Sequence, residues 1–543
     1  MTRFPDEENV TRLVIRICRL IAFATLCLGL AGCATLPDEG PRSYTSALPV
    51  RGNATPLDRL AQASMANAPA GESGFRLMLG PGALDVRLAV MRNARRSLDL
   101  QYYHLQNDST GRLVMRELRN AAQRGVRVRL LLDDLYTDGL ETLIAGLGAF
   151  PNVEVRLFNP FPVRGSIVKR FAASAMLFAR LNHRMHNKLF VADNTLALAG
   201  GRNIGDEYFM RSAEWNFFDY EVLCAGPVVP QMSSVFDEYW NAEQVRTADS
   251  VLHTAAPPAV LRAAFDAWVA PDRTPEPAPF RGAAERVGPS AYDELAKGHV
   301  EFVFGKAQAF ADSPAKAWGE LETARLPSGA LLDSSRLLIT TEFERAQREI
   351  WVSTPYAVPG AASLESMRTA TRRGVQINLL TNSLATTDEP VVHTGYRRYR
   401  DNMLRVGVEV FELHPLRSQH MLQGTGAGEG TLLRLHTKAA VIDGTKVFIG
   451  SVNFDPRSEA LNTEFGLFVD SPVLAAEALN IFARMRDEAT WRVQLKPSTE
   501  RDLQWVRSEG GTIVELIEQE PGADLWTRAK LYLQSFVIPE SLL

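Results

Sequence analysis

The sequence predicts an α/β fold in which two duplicated α/β sandwich lobes meet around a pseudo-twofold axis. Three observations predict it: a motif that occurs twice, a longer repeat around each copy, and an alternation of helical and strand patterns within each repeat. The motif is His-x-Lys-x4-Asp, and its members are His186, Lys188 and Asp193 in the first copy and His436, Lys438 and Asp443 in the second. One copy alone is typical of an ordinary strand histidine, whereas two copies with identical spacing indicate one site built from two halves.

The repeat extends well beyond the motif. The corresponding segments are residues 94–103 and 346–355, residues 124–132 and 373–380, and residues 153–160 and 408–415. Within each copy, helical patterns that end in basic turns alternate with short β-branched runs bounded by Gly, Pro or Asn. Because each copy follows the order helix, strand, helix, strand and then the strand with the histidine, each is expected to form one α/β lobe.

The chain is predicted to divide into five parts. They are a signal segment at 1–33, a tether at 34–73, a first lobe at 74–250, a linker at 251–330 and a second lobe with a tail at 331–543. The tether is rich in Pro, Ala, Ser and Gly, which is typical of flexible connections. The linker has proline-rich runs, and no other segment of the repeat corresponds to it.

The N-terminus predicts export. Arg12, Arg16 and Arg19 precede an apolar run from Leu20 to Leu30, which continues through Ala31 and Gly32 to Cys33. This order of charge, apolar run and small residues is that of a signal peptide, and the run is short for a membrane-spanning helix. The ending resembles a bacterial lipobox, which implies a lipidated Cys33 in the cell envelope. An uncleaved anchor is the alternative; both place the lobes in the periplasm, beside the inner or the outer membrane.

The paired motifs contain the groups that phosphoryl transfer requires. One imidazole can attack phosphorus while the other protonates the departing oxygen, and Lys188 and Lys438 supply fixed positive charge. Asn203 and Asn453 follow turns of small residues, the second of which includes Ser451, and can add amide donors to a phosphate. The chemistry requires no cofactor, and no His-rich cluster has the spacing of a zinc site.

Two further carboxylates are aligned by the repeat. Counting back from Pro227 and Pro472 aligns Asp219 with Glu464, and either could accept a hydrogen bond from Nδ1 of a motif histidine. Alternatively, Asp219 and Glu464 are ordinary charges at strand edges with no role in the site. Asp193 and Asp443 belong to the motif, but they follow the histidines by about a strand's length, so we expect them to stabilise turns outside the phosphate pocket.

These residues resemble the phospholipase D superfamily and, within it, the C-type bacterial cardiolipin synthases. The resemblance covers residues 74–543 and depends on the segments 185–188, 200–206, 381–396 and 453–458. It implies a phospholipase D-like fold, with His186 as the nucleophile and His436 as the acid and base. It also implies a phosphatidyl transferase that makes cardiolipin from phosphatidylglycerol and a second phospholipid, either phosphatidylglycerol or phosphatidylethanolamine.

The charge pattern bears on the substrate and on the setting. A net charge of −4 gives no electrostatic footprint for nucleic acid. Between residues 161 and 184, basic and apolar residues interleave, which suits an anionic membrane surface; the basic residues are Arg164, Lys169, Arg170, Arg180 and Arg184. A core helix with solvated arginines is the alternative. A hydrolytic phospholipase D, an exported phosphodiesterase or nuclease, and an inactive envelope scaffold are the rival functions, and an accessory protein is left open.

Overall fold

The computed structural model describes most of the chain from residue 43 onwards. The described residues are 43–50, 52, 54–173, 177–280, 290–319, 324–325, 331–332, 334–422, 430–499, 502–524, 527 and 531. The predicted signal segment with Cys33 and the first part of the predicted tether lie outside them. Among the helices of the described residues, none is long and apolar enough to cross a membrane.

The first lobe is built on a mixed sheet. Its strands are β1 (Ser73–Met78), β2 (Ser97–Tyr102), β3 (Arg127–Asp133), β4 (Val153–Phe158), β5 (Leu189–Ala192), β6 (Leu196–Gly200), β8 (Glu221–Ala225) and β9 (Val245–Thr247), while β7 (Trp215–Phe218) pairs elsewhere. The hydrogen-bonded order is β9-β4-β3-β2-β5-β6-β8-β1, with β2, β3 and β4 parallel and the other pairs antiparallel.

The second lobe repeats this order. Its strands are β10 (Val303–Ala311), β11 (Ala324–Arg325), β12 (Leu331–Leu332), β13 (Glu349–Ser353), β14 (Gln376–Asn382), β15 (Val408–Leu413), β16 (Leu432–Leu435), β17 (Ala439–Ile442), β18 (Lys446–Gly450), β19 (Phe465–Asp470), β20 (Thr490–Leu495), β21 (Leu503–Glu509) and β22 (Thr512–Ile517). The order β15-β14-β13-β17-β18-β19-β10 matches β4-β3-β2-β5-β6-β8-β1, and β20, β21 and β22 extend the far edge. The predicted duplicated α/β fold is confirmed.

Helices pack on the sheets. They are α1 (Pro56–Ser64), α2 (Gly82–Asn93), α3 (Ser109–Gln123), α4 (Glu141–Gly148), α5 (Ile167–Ala173), α6 (Phe178–Leu181), α7 (Val228–Asn241), α8 (Ala248–Leu252), α9 (Pro258–Trp268), α10 (Ala291–Ala296), α11 (Ser335–Arg345), α12 (Gly360–Arg372), α13 (Pro390–Arg405), α14 (Pro456–Ala460) and α15 (Pro472–Ala489). Short 3-10 turns lie at Asp134–Tyr136, Asp206–Phe209, Pro314–Trp318 and Arg417–Leu422. Helices α3 and α12 end at glycines with positive φ, Gly125 and Gly374, as expected from the repeated Arg-Gly-Val sequence.

A central apolar cluster joins the two lobes. It contains side chains of β5, β6, β8 and α7 from the first lobe and of β17, β18, β19 and α15 from the second. Phe75, Phe236, Phe465 and Phe482 are all almost completely buried in it. Because burial of such surface is the main favourable contribution to folding, the lobes form one body, and the segments that carry the two histidines lie at their junction.

The predicted tether is wrong for residues 56–64, which form helix α1. Thr55 and Asp58 make a reciprocal capping box at its start, and Leu57 and Leu60 are buried in the core of the first lobe. The composition of the segment resembles that of a linker, but its two leucines at helical spacing supply an apolar face.

The predicted linker also contains part of the second lobe. Strand β10 pairs antiparallel with β1 through residues 303–305 and with β19 through residues 306–311, so it occupies the place in the second lobe that β1 has in the first. Helices α9 and α10, which come from the same stretch, bury Phe265 and Leu295 against the first lobe. The second lobe therefore begins at β10, and the predicted boundary at residue 331 is wrong. The sequence does not indicate this boundary because β10 shares no motif with β1.

Candidate active site

Backbone contacts between the lobes bring the two motifs together. Strand β7 of the first lobe runs parallel to β16 of the second, and the His436 amide N–H at the end of β16 donates to the Phe218 carbonyl (2.9 Å). On the other side of the axis, the His186 N–H donates to the Thr463 carbonyl (2.8 Å). These two bonds therefore hold each histidine next to a carboxylate of the other lobe, because Phe218 directly precedes Asp219 and Thr463 directly precedes Glu464.

The carboxylates pair with the histidines across the lobes. His186 Nδ1 lies 2.9 Å from Glu464 Oε2, and His436 Nδ1 lies 2.6 Å from Asp219 Oδ2. A carboxylate that accepts the Nδ1 proton fixes the tautomer and leaves the Nε2 lone pair available. The structure thus brings together all four residues, and neither carboxylate serves the histidine of its own lobe.

The surroundings of the two carboxylates differ. Glu464 accepts further hydrogen bonds from the hydroxyls of Ser451 and Ser458. At the position equivalent to Ser451 stands Gly201, where an added Cβ would lie 2.5 Å from both carboxylate oxygens of Asp219. The lack of a side chain at residue 201 therefore leaves the space that Asp219 requires.

Both lysines are buried between the motifs. Lys188 Nζ donates to the His186 carbonyl (2.6 Å) and Lys438 Nζ donates to the His436 carbonyl (2.5 Å). Burial lowers the pKa of Lys438 to about 8 and lowers the pKa of Lys188 well below its ordinary value, although Asp219 and Glu464 oppose this.

The histidines are held neutral in the free site. Burial lowers the pKa of His186 to about 4; Glu464 opposes this shift and Lys188 adds to it. Burial also lowers the pKa of His436 well below its ordinary value, and the charges of Lys438 and Lys188 lower it further. Because His186 also lowers the pKa of His436, protonation of either ring disfavours protonation of the other.

The two carboxylates differ in charge. Burial raises the pKa of Asp219 to about 7, although Lys438 and Arg202 oppose the shift. Burial would also raise the pKa of Glu464, but His186, the charge of Lys188 and the hydrogen bond from Ser451 together outweigh it and lower the pKa. Glu464 is therefore ionised at neutral pH, whereas Asp219 exchanges its proton near pH 7.

The predicted amides lie in buried positions beside the motifs. Asn203 Nδ2 donates to the Tyr208 hydroxyl (2.9 Å). The Oδ1 atoms of Asn203 and Asn453 are buried and have no hydrogen-bond partner in the part of the chain that the structure describes. Tyr208 packs edge-on against His436, with ring centroids 5.2 Å apart, and Tyr103 packs edge-on against His186 at 5.0 Å.

The sequence did not assign roles to several residues near the site. The sequence predicts no role for Tyr103 or Tyr208, and Asp388 falls within the segment 381–396 without a role of its own. The Tyr356 hydroxyl donates to Asp388 Oδ2 (2.8 Å), and the negative charge of Asp388 favours the charged form of Lys438. Tyr103 occupies the position of Pro355 in the repeat, so the duplication gave no indication of it.

The motif aspartates lie in turns. The Asp193 carboxylate accepts hydrogen bonds from the backbone N–H groups of Arg95, Arg96 and Ser97, ahead of β2. Asp443 does the same for residues 347–349, ahead of β13. Both aspartates have positive φ, at 52° and 53°, and neither makes a hydrogen bond with a motif histidine or lysine in the described residues.

The basic face expected between residues 161 and 184 is not formed by its arginines, and that prediction is wrong for them. Arg164 and Arg170 both bond Glu141, Arg184 is buried against Asp133, and Arg180 donates to the side chain of Asn159. These arginines make ion pairs and hydrogen bonds inside the protein, and sequence spacing alone cannot reveal such contacts. Lys169 is exposed, while Met176 and the side chains of Phe171 and Phe178 lie outside the described residues.

No group of three or more His, Cys, Asp or Glu side chains in the described part of the chain is arranged to hold a metal ion. Cys224 is a free thiol, buried in β8.

Comparison with known proteins gives consistent relatives. A family model described as "Cardiolipin synthase, PLD-like domain" matches residues 88–240 and 339–486, one motif in each match. Cardiolipin synthase C of Escherichia coli K12 is 37% identical over 477 residues, which cover 86% of this chain and 96% of that protein. A cardiolipin synthase of Staphylococcus aureus Mu50 is 25% identical over 406 residues, which cover 74% of this chain and 65% of that protein. The crystal structure of phosphatidylserine synthase from Haemophilus influenzae Rd KW20 superposes with a TM-score of 0.53 at 13% identity, covering 89% of this chain and 99% of that one; at this identity the likeness shows the fold alone.

Proposed function

This chain belongs to the cardiolipin synthase family of phospholipase D-like proteins, and from that membership we propose that it is a phosphatidyl transferase. It forms cardiolipin from phosphatidylglycerol and a second phospholipid through a covalent phosphohistidine. The observation that carries the proposal is the crossed pairing of His186 with Glu464 and of His436 with Asp219. This pairing gives one buried site two imidazoles, each with Nε2 available.

In the first half-reaction, His186 Nε2 attacks phosphorus and the bond to the leaving glycerol oxygen breaks. The ring of His186 becomes positive during attack, and the ionised Glu464 on Nδ1 stabilises that charge. His436 Nε2 gives its proton to the leaving oxygen. The hydroxyls of Ser451 and Ser458 favour the ionised form of Glu464, which supports His186 as the nucleophile.

In the second half-reaction, His436 takes the proton of an incoming lipid hydroxyl. The oxygen of that lipid attacks phosphorus, the phosphorus–nitrogen bond breaks, and His186 is restored. The pair of His436 and Asp219 suits this exchange, because the pKa of Asp219 is raised to about 7 and the pair gains or loses a proton near neutral pH.

The charge of the substrate supplies the required protonation. In the free site, burial and the charges of the two lysines lower the pKa values of both histidines. A bound phosphodiester adds one negative charge, which raises the pKa of the nearby imidazoles and allows one of them to hold a proton. A half-turn of the Asn203 amide would let its Oδ1 accept from the Tyr208 hydroxyl and turn its NH2 group toward the phosphate.

We also propose that the protein is anchored through a lipidated Cys33, with its lobes in the periplasm. The apolar run that ends in Leu-Ala-Gly-Cys supports this. Cells fed a radiolabelled fatty acid should yield labelled wild-type protein and unlabelled Cys33→Ser protein. Equal labelling of both would contradict the proposal.

Lipid product analysis tests the proposed function. Purified protein is added to vesicles of phosphatidylglycerol, with and without phosphatidylethanolamine, and the lipids are separated by mass. The expected result is cardiolipin in excess of phosphatidic acid, because the acceptor lipid competes with water in a site that buries both histidines. Phosphatidic acid without cardiolipin in either mixture would instead indicate a hydrolytic phospholipase D.

A further inference from the structure

An arginine precedes each motif histidine by two residues. In the first lobe it is Arg184, which is completely buried and forms an ion pair with Asp133 (3.0 Å) at the end of β3. In the second lobe it is Arg434, and the repeat places Asn382, at the end of β14, where the first lobe has Asp133. The second lobe therefore lacks, at this position, the carboxylate that neutralises Arg184.

The side chain of Asn382 keeps the backbone contact of its counterpart but not the charge. Asp133 Oδ2 accepts from the backbone N–H of Met185 (2.8 Å). In the second lobe, Asn382 Oδ1 accepts from the backbone N–H of Leu435 (2.9 Å), and its Nδ2 donates to the Leu435 carbonyl (2.8 Å). The strand end before the second motif histidine is thus held in place by a neutral amide, and the nearby arginine is not neutralised by it.

The guanidinium of Arg434 carries an unpaired charge beside His436. In the part of the chain that the structure describes, its side chain forms no ion pair and no hydrogen bond, and its Nε is buried. Asp388 and Glu389 interact with its charge from beyond ion-pair distance, and Asp388 is bonded to the Tyr356 hydroxyl. A guanidinium with its planar set of N–H donors unused is well suited to bind a phosphate.

Two aromatic rings hold Arg434 and His436 on the same side of β16. The guanidinium lies 4.5 Å from the centre of the Trp215 ring, and the His436 ring packs on Phe217 with centroids 4.6 Å apart. Trp215 and Phe217 contact each other at 4.9 Å. Alternate residues of a strand lie about 6.6 Å apart, a length that a glycerol unit spans. A phosphate bound by Arg434 can therefore place a hydroxyl one glycerol unit away at the imidazole.

We propose that Arg434 binds the phosphate of the acceptor phospholipid while the hydroxyl of that lipid lies at His436. The inference rests on the proposed function for the identity of the acceptor. An acceptor phospholipid, unlike water, brings a phosphate of its own, which is separate from the phosphate that Lys188 and Lys438 hold. In phosphatidylglycerol one glycerol unit separates this phosphate from the terminal hydroxyl. The unpaired charge of Arg434 thus favours a phospholipid acceptor over water.

Competition between two soluble acceptors provides the test. The protein receives a short-chain phosphatidyl ester of 4-nitrophenol with equal concentrations of glycerol and sn-glycerol 3-phosphate, and the two phosphatidyl products are quantified by mass spectrometry. Both acceptors react with the same intermediate, so the product ratio measures acceptor selection and is independent of the overall rate. The wild-type protein should prefer glycerol 3-phosphate. Arg434→Gln should lower the ratio by about tenfold or more, because charge-assisted hydrogen bonds to the phosphate are lost.

Two further variants and a salt series complete the experiment. Arg434→Lys keeps the charge and should retain part of the preference. Arg368→Gln removes the same charge from an exposed ion pair with Glu365 on α12 (2.8 Å); it is the matched control and should keep the wild-type ratio. The wild-type ratio should also fall when sodium chloride is raised from about 0.05 to about 0.5 M, because salt screens the attraction between the guanidinium and the phosphate.

The outcomes separate this inference from the proposed function. An unchanged ratio in Arg434→Gln, an equal fall in Arg368→Gln, or a wild-type ratio that salt does not change overturns the role of Arg434, even if the protein makes cardiolipin. A preference for glycerol 3-phosphate that depends on Arg434, in a protein that makes no cardiolipin, supports the inference and contradicts the proposed function alone. Phosphatidic acid as the sole product contradicts both.

Discussion

Protonation of single residues limits the pH range in which the site is active. The raised pKa of Asp219, about 7, means that its carboxylate is charged only above that pH, and the lowered pKa of Lys438, about 8, means that its ammonium is charged only below that pH. We therefore expect kcat/KM on a soluble phosphodiester to be highest between about pH 7 and 8. A flat profile between pH 5 and 10, with chemistry rate-limiting, would contradict this assignment.

Replacement of Lys438 by arginine isolates the alkaline limb. Arginine keeps its charge up to about pH 12 or higher, so the normalised profile of Lys438→Arg should lose its fall near pH 8, whatever its absolute rate. Asp219→Asn should instead lose the acid limb. An alkaline limb that stays in place in Lys438→Arg would assign it to another group.

The two serines that bond Glu464 are positioning residues for His186. The double variant Ser451→Ala/Ser458→Ala should lower kcat/KM about 10- to 100-fold, the loss that is typical when residues that orient a functional side chain are removed. The pKa of Glu464, followed by NMR of labelled glutamate carboxyl groups, should rise without these donors. Ser234→Ala, which removes a hydroxyl that donates to the carbonyl of Pro230, is the control. Loss of rate with an unchanged pKa of Glu464 would indicate a purely structural role.

At the scale of single elements, the motif aspartates should affect stability more than chemistry. Asp193→Ala removes a fully buried acceptor from three backbone N–H groups, so it should lower the free energy of unfolding by about 1–3 kcal/mol. Asp443→Ala, at a partly exposed turn, should cost less. Chemical denaturation measures both. A kcat/KM lowered by several orders of magnitude in a fully folded Asp193→Ala would place that carboxylate in the chemistry.

Helices and strands were predictable where the repeat supplied two copies. Matching residues around Arg124 and Arg373 identified α3, β3, α12 and β14, because the same local pattern occurs twice. Strand β10 was missed because its pairing with β1 and β19 depends on residues far away in the chain. Helix α1 was missed because composition outweighed its short apolar pattern.

The candidate site was predictable as a set of residues but not as an arrangement. The spacing identified both histidines, both lysines and the two aligned carboxylates. Which carboxylate meets which histidine depends on how β7 and β16 pair between the lobes, and no local pattern encodes that contact. The same holds for the contacts inside the protein that pair four arginines with residues distant in the sequence. These are Arg164, Arg170, Arg180 and Arg184.

At the scale of the whole molecule, neither lobe contains a complete site. Each imidazole receives its carboxylate from the other lobe, and the apolar cluster between the sheets holds the two halves in register. Activity should therefore be lost when the two lobes separate. In a gradual urea titration, kcat should fall at or before the loss of tertiary fluorescence and never after it. Activity that outlasts the unfolding of either lobe would contradict a shared site.

Trapping the covalent intermediate tests the two-histidine account most directly. His436→Ala is mixed with a short-chain phosphatidyl ester of 4-nitrophenol, whose leaving group departs without protonation, and the protein is quenched and digested for mass spectrometry. The account predicts a phosphatidyl adduct on His186, and none in His186→Ala/His436→Ala. An adduct on another residue, or single turnover of the ester by His186→Ala at the rate of the wild-type protein, would contradict it.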